Sequence, residues 1–190
     1  PDSRTGRKGL LSEDGFRAGA RVLARMGLSF DAWLYFHQLP ELAEFAKAVP
    51  DLTIILNHIG GVLRTGPYVN RDEEILPVWR KGIEAVAQCP NVNVKLGGTG
   101  QPRTGYGWSA REKPIGSEEI AETMAPYMDH CIEQFGPNRC MFESNFPPDK
   151  VGHSYNVLFN AFKRMSKGYS ATERADMFHD TAARVYRIED

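Results

Sequence analysis

A histidine follows one of the most apolar segments of the chain, and two glycines follow the histidine. In the run ILNHIGG, His58 comes just after the segment 52–56, LTIIL. A neutral imidazole can act as a general base near neutral pH or bind a divalent metal ion. We therefore predict His58 both as a catalytic residue and as a metal ligand. The alternative is a histidine that hydrogen-bonds to its own loop.

A carboxylate and an amide stand together after another apolar segment. In MFESNFPPDK, Glu143 ends the segment 139–143, and Asn145 follows two residues later. A carboxylate beside an amide can bind metal or activate water, so both residues are predicted to be catalytic. In the alternative interpretation, Asn145 caps the turn and Glu143 pairs with Lys95 or an arginine.

Three further residues have side chains suited to binding a substrate. Gln38 follows the aromatic run DAWLYF, and an amide can orient a carbonyl or hydroxyl group. Lys95 lies inside the apolar segment VNVKL, where a buried lysine must be paired or lose its proton. Trp108 belongs to a loop rich in Gly and Pro, residues 97–116, which suits a cover over a pocket. No helix opens directly behind these glycines, which argues against a nucleotide-binding loop.

These residues sit where parallel strands would end. Four runs of strand length alternate with helical segments, an order typical of βαβ units and a parallel sheet. A doubly wound sheet and a (β/α)8 barrel both fit, and both place ligands at the carboxyl ends of strands. The predicted strands are 31–36, 52–56, 92–96 and 139–143, and the predicted helices are 12–27, 40–49, 73–88, 117–135, 154–166 and 171–187.

Composition indicates one globular domain over residues 1–190. The net charge of −1 gives no electrostatic case for nucleic acid or an anionic membrane. No apolar run approaches the ~20 residues that span a bilayer. The three cysteines match no metal or redox motif, so a cytoplasmic location is expected.

The runs ILNHIGG, NVNVKLGG, GPNRCMFESNFPPDK and FHDTAARVYRI, in this order, resemble the amidohydrolase-related family (amidohydrolase 2) over about residues 10–188. This family has the (β/α)8 TIM-barrel fold and includes metal-dependent hydrolases, sugar and dicarboxylate lactonases and some decarboxylases. The resemblance implies that His58 binds metal or substrate, with zinc the first expectation for the metal. It also implies that Asn145 stands where many relatives carry an aspartate that helps hold metal and takes the proton of the attacking water.

The chain departs from the family pattern in lacking a His-x-His pair. A complete barrel needs about 250 residues, so we expect this chain to be the C-terminal part of one, with about four to five β/α units. Because the chain does not begin with Met, we expect it to start inside a longer gene product. The missing strands would come from an upstream segment or from a second copy in a homo-oligomer, and residues 1–190 alone are expected to be inactive.

Together these features predict a hydrolase that acts on a small carboxylated or sugar-derived lactone, or a related amide, by water attack on a carbonyl. In this hypothesis Lys95 or Arg64 binds a carboxylate of the small-molecule substrate. One alternative is a non-catalytic barrel remnant that binds a small ligand or a partner chain. A second alternative is a decarboxylase of the same family.

Overall fold

The computed structural model describes residues 8–188 and contains one parallel sheet. Its strands are β1 (Ser29–Ala32), β2 (Thr53–Leu56), β3 (Val92–Leu96) and β4 (Cys140–Phe142). They lie side by side in chain order, and every neighbouring pair is parallel. The prediction of four neighbouring parallel strands is confirmed. All four carboxyl ends therefore meet at one edge of the sheet.

Helices connect the strands and complete the chain. They are α1 (Asp14–Arg25), α2 (Leu39–Ala48), α3 (Asp72–Ala87), α4 (Ser117–Phe135), α5 (Tyr155–Met165), α6 (Ala171–Ala175) and α7 (Thr181–Tyr186). A capping box begins α6, in which the side chain of Ser170 accepts from the backbone N–H of Glu173 and the side chain of Glu173 accepts from the backbone N–H of Ser170. No helix among residues 8–188 is long and apolar enough to cross a membrane.

The first strand and the last helix differ from the sequence predictions. β1 ends at Ala32, and the aromatic residues after it leave the sheet to form a 3₁₀ turn, Phe36–Gln38. The Oε1 of Gln38 accepts a hydrogen bond from the backbone N–H of Tyr35, which caps this turn. The predicted single helix 171–187 is interrupted by a π-helical turn, Asp176–Asp180. Neither the apolar pattern nor the capping box, on which these predictions depend, specifies the hydrogen-bond partner of each backbone group further along the element.

The two faces of the sheet have different chemistry. One face is covered by the helices. It contains a row of buried residues that are paired across the sheet: Ala32, Leu56, Val94 and Cys140. The other face, called here the inner face, mixes apolar and polar side chains. Its apolar members include Ile55 and Met141, which pack against Val185 of α7, and its polar members include Asp31, Asn93 and Lys95.

Lys95 is the cation of the inner face. Its Nζ lies 2.7 Å from Oδ1 of Asp31, which also accepts a hydrogen bond of 2.8 Å from the hydroxyl of Tyr186. Burial alone would lower the pKa of Lys95, but its hydrogen bonds to Asp31 and Tyr186 and the nearby charge of Glu143 hold that pKa above its ordinary value. Lys95 therefore remains a charged ammonium group held by an inner-face carboxylate.

Candidate active site

The turn after β2 holds His58 in an unusual backbone conformation. His58 and Ile59 have φ angles of 57° and 49°, in the left-handed region that residues with a Cβ rarely adopt. Two contacts hold the turn in this conformation: the side chain of Ile59 is buried, and its carbonyl accepts a 2.7 Å hydrogen bond from Nε1 of Trp79. Such strain persists only where the surrounding structure imposes it, and it is concentrated at functional sites.

Glu143 holds the imidazole of His58. Its Oε1 lies 2.5 Å from Nδ1 of His58 and also accepts a 3.2 Å hydrogen bond from the backbone N–H of His58. The two side chains are only 12% and 15% exposed. A carboxylate that accepts from Nδ1–H leaves Nε2 as the unprotonated nitrogen of a neutral imidazole. This Nε2 has no hydrogen-bond partner within residues 8–188, and we call the two residues the His58–Glu143 pair.

Two glycines at the end of β3 press against this pair. A Cβ added at Gly97 would lie 2.3 Å from the carbonyl oxygen of Glu143. A Cβ added at Gly98 would lie 2.3 Å from the ring of His58, and Gly98 has a φ of +72°. The sequence NVNVKLGG thus ends in glycines because larger residues would displace the pair.

A narrow cavity of about 20 Å³ opens beside His58. Its walls combine aromatic rings with two arginine side chains. Most of these residues lie in the loops that follow β1, β2 and β3, and Tyr127 lies in α4. The guanidinium of Arg103 lies 5.1 Å from the centre of the Trp33 ring. The polar and aromatic lining residues are Trp33, Tyr35, His58, Arg64, Thr99, Arg103, Thr104, Tyr106 and Tyr127.

Arg64 is engaged by its neighbours at every nitrogen. Nε lies 2.8 Å from Oδ1 of Asp72, and Nη1 donates to the hydroxyl of Tyr106 and the carbonyl of Thr104 at 3.0 and 3.3 Å. Nη2 donates to the hydroxyl of Tyr127. These five residues, called here the Arg64 cluster, join the loop after β3 to helices α3 and α4. Burial raises the pKa of Tyr106 well above its ordinary value, so its hydroxyl stays protonated.

Asn145 contacts a buried carboxylate. Its Nδ2 lies 2.6 Å from Oδ1 of Asp149, which is completely buried. The other carboxylate oxygen of Asp149 accepts a 2.8 Å hydrogen bond from the backbone N–H of Gly100. Asn145 has a φ of 49°, a conformation that asparagine tolerates better than most residues.

The structure brings some of the predicted residues together and leaves others apart. His58 and Arg64 line the cavity, and Glu143 joins them through its contact with His58. Trp108 stacks on Tyr106 with ring centres 4.9 Å apart and faces a neighbouring cleft. Gln38 caps its own turn, and Lys95 binds Asp31. The catalytic and binding roles assigned to all seven residues remain predictions.

Several cavity residues were missed by sequence reasoning, and Trp33 and Tyr127 show why. Trp33 was assigned to the interior of a strand, although it is the first residue after β1 and could have been found from a shorter strand. Tyr127 lies inside α4, and nothing in the local sequence distinguishes it from a core aromatic.

The donor atoms do not form a complete metal site. Among residues 8–188, no three His, Cys, Asp or Glu side chains are grouped so that they could hold a metal ion. Nε2 of His58 could supply one ligand, since Nδ1 is already bound to Glu143. Within residues 8–188, therefore, His58 offers a zinc ligand, but no group of three such ligands is present, and a protein zinc site uses three or four.

Sequence comparison assigns the chain to a family. The model of the amidohydrolase family matches residues 2–188. The chain belongs to this family. The uncharacterized protein y4mH of Sinorhizobium fredii is 40% identical over 173 residues, which are 91% of this chain and 52% of that protein. L-fucono-1,5-lactonase of Burkholderia multivorans is 25% identical over 184 residues, which are 96% of this chain and 59% of the lactonase.

Structure comparison confirms the fold of this amidohydrolase. A crystal structure of an amidohydrolase from Burkholderia multivorans, with bound zinc, superposes with a TM-score of 0.82 at 23% identity. The match covers 97% of this chain and 62% of that one. The sheet and its helices are thus part of the α/β barrel architecture predicted from the sequence. The chain spans between about half and two thirds of the length of these three proteins.

Proposed function

We propose that the complete gene product is a hydrolase that opens a small carboxylated or sugar-derived lactone. The observation that carries this proposal is the His58–Glu143 pair, with its 2.5 Å contact and its unpartnered Nε2 beside a cavity. The similarity to a protein named L-fucono-1,5-lactonase supports the choice of a lactone.

In the proposed reaction, Nε2 of His58 accepts a proton from water as the water oxygen bonds to the lactone carbonyl carbon. The carbonyl π electrons move to its oxygen and return when the ring C–O bond breaks. The imidazolium then gives its proton to the leaving alkoxide, and the product is an open hydroxy acid. Glu143 holds the ring in place and stabilises its transient positive charge.

The cavity size fits the nucleophile rather than the whole substrate. A space of about 20 Å³ admits roughly one water molecule, whereas a sugar lactone would lie over its opening. Lys95, Arg64, Gln38 and Trp108 stay predicted substrate-binding residues. Both cations already have protein partners, Arg64 in its own cluster and Lys95 at Asp31, so either one would exchange a protein contact for a substrate carboxylate.

Three further predictions belong to this proposal. Zinc at His58 accords with the zinc in the Burkholderia multivorans structure. We also propose a cytoplasmic location and a homo-oligomer. No contact described above favours the decarboxylase or the non-catalytic alternative.

The experiment is lactone hydrolysis by the complete gene product, followed as acid release, on L-fucono-1,5-lactone and a panel of related sugar and dicarboxylate lactones. His58→Gln is expected to lower kcat/KM by about 10²–10⁴, the usual contribution of a general base. His179→Gln, at an exposed histidine beside Asp180, is the matched control and should keep wild-type activity. A His58→Gln enzyme within threefold of wild type would overturn the proposal.

A further inference from the structure

The carboxylate of Asp149 has two hydrogen bonds and no exposure to solvent. Oδ1 meets Nδ2 of Asn145 at 2.6 Å, and Oδ2 meets the backbone N–H of Gly100 at 2.8 Å. The backbone N–H of Asp149 also donates to the carbonyl of Asn145, at 3.0 Å. A buried charge is costly unless it is satisfied in this way. The arrangement therefore fixes three things at once: the carboxylate, the loop after β3 and the amide of Asn145.

This contact determines which end of the Asn145 amide faces away from Asp149. An ionised carboxylate only accepts hydrogen bonds, so the NH₂ group of Asn145 must face it. The amide oxygen, Oδ1, then points elsewhere. It has no partner among residues 8–188, and it is not sealed from solvent. Asn145 also follows Glu143 by two residues, at the carboxyl end of β4.

We propose that Asp149 is a positioning residue, which presents Oδ1 of Asn145 as a hydrogen-bond acceptor to an O–H group in the active site. That group is the attacking water or a hydroxyl of the substrate. This inference rests on the proposed hydrolase function and adds a second acceptor to it. His58 takes the proton, whereas Asn145 orients the O–H donor without changing its own protonation.

The chain allows a test by exchanging the two side chains. In Asp149→Asn, the new amide can accept from Gly100 with its oxygen, and its NH₂ group then faces Asn145. Asn145 must turn over to avoid two opposed NH₂ groups, so it presents a donor to the site. In the double variant Asn145→Asp, Asp149→Asn, the amide at 149 donates to a carboxylate at 145, and an acceptor again faces the site.

For the single variant Asp149→Asn we expect kcat/KM to fall by about 10- to 100-fold while the fold is kept, the cost of one mispaired polar group. The double variant should recover at least tenfold of that loss (again about one lost hydrogen bond). A merely structural role for Asp149 would lower the Tm of the single variant together with its activity, so Tm is measured for both variants, and the positioning role requires kcat/KM to fall while Tm stays close to that of wild type. Equal activity of Asp149→Asn and wild type, or no recovery in the double variant, would overturn the inference.

A measurement of Tm tests the contact between Asn145 and Asp149 without an activity assay. In Asn145→Asp alone, two carboxylates would meet at hydrogen-bonding distance, and one must stay protonated. Its Tm should therefore fall between pH 5 and pH 8 by at least about 5 °C relative to wild type. The charge of Asp149 acts on the buried His153, so the comparison is repeated in a His153→Gln background. An unchanged Tm difference across this range would show that Asn145 and Asp149 are not in contact.

The two measurements separate the inference from the proposed function. If wild type opens no lactone but Asn145→Asp shows the pH-dependent loss of Tm, the proposed function fails and the Asn145–Asp149 contact stands. If wild type is active and both Asp149→Asn and the double variant keep the kcat/KM of wild type, the positioning role alone fails.

Discussion

The His58–Glu143 pair and the Arg64 cluster border the same cavity, yet their hydrogen bonding differs. The side chains of His58 and Arg64 are similarly buried, at 12% and 11% exposure, and both were predicted to act on substrate. Every nitrogen of Arg64 has a protein partner. His58 has one ring nitrogen held by Glu143 and the other left without a partner in the described chain.

This difference suggests how to distinguish a residue that performs chemistry from one that supports it. A group that reacts needs a fixed orientation and one vacant position, which is the state of His58. A group whose donors are all used stabilises the walls around the reaction, because a ligand would have to break existing bonds to bind it. We therefore expect changes near His58 to reduce turnover and changes at Arg64 to reduce stability.

Apart from replacement of His58 itself, the largest effect is expected from Gly98→Ala. The added methyl group would overlap the ring of His58, and the φ of +72° adds backbone strain. The ring must move away from Glu143, so kcat/KM for lactone opening should fall by about 10³, since small displacements of a catalytic group are costly. Gly9→Ala is the matched control, because Gly9 has a φ of +81° but open space around it. Comparable losses of activity in both variants would mean that strain, and not the ring contact, is responsible.

Glu143→Gln changes the pair without changing the size of the side chain, and its effect on kcat/KM should be the next largest. The amide can still accept from the backbone N–H of His58, so the fold is retained. In this arrangement the same oxygen also accepts from Nδ1–H, as Oε1 of Glu143 does, so the tautomer is kept, but the negative charge that stabilises the imidazolium is lost. We expect kcat/KM to fall by about 10², with a change in unfolding free energy below about 1 kcal/mol.

The control for this variant is Glu41→Gln, because Glu41 also accepts a backbone hydrogen bond, from Leu11 at 2.9 Å, far from the cavity in sequence. Unfolding in urea and kinetics on the same preparations check both quantities. A Glu143→Gln enzyme that loses stability but keeps its turnover number would assign Glu143 to the scaffold and weaken the comparison.

Sequence predicted two of the strands with bounds within one residue. LTIIL becomes β2 because it is apolar on both faces, and VNVKL becomes β3 because its alternating apolar and polar residues match the two different faces of the sheet. DAWLYF has similar composition, but Tyr35 bonds to Gln38 instead of a neighbouring strand. Local pattern cannot reveal that choice, since it depends on which backbone partner is nearest in space.

The candidate site shows the same limit. His58 could be found from its own segment, because a strand end followed by two glycines is a local signal. Its partner could not, because Glu143 lies 85 residues further along the chain and could equally have paired with Lys95. Asn145 and Asp149 are only four residues apart, yet their contact was not predicted, because the geometry of the turn and not the residue pattern brings the two side chains together.

The smallest effect on turnover is expected from Arg64→Lys. A lysine has one compact ammonium group and cannot reach Asp72, Tyr106 and Tyr127 together, as the planar guanidinium does. The unfolding free energy should fall by about 1–2 kcal/mol, the net value of one or two lost hydrogen bonds to a charged group. The turnover number should stay within about threefold of wild type, because no atom of the His58–Glu143 pair is removed.

Arg71→Lys is the matched control, since Arg71 makes an exposed ion pair with Glu74 that should contribute little. Chemical unfolding and steady-state kinetics with a carboxylated lactone distinguish the two roles of Arg64. A loss of stability with unchanged KM supports a supporting role. A rise in KM of more than about tenfold with unchanged stability would correspond to a lost ion-paired contact with substrate. That result would restore Arg64 as a ligand of the substrate carboxylate, and it would show that the cluster opens when substrate binds.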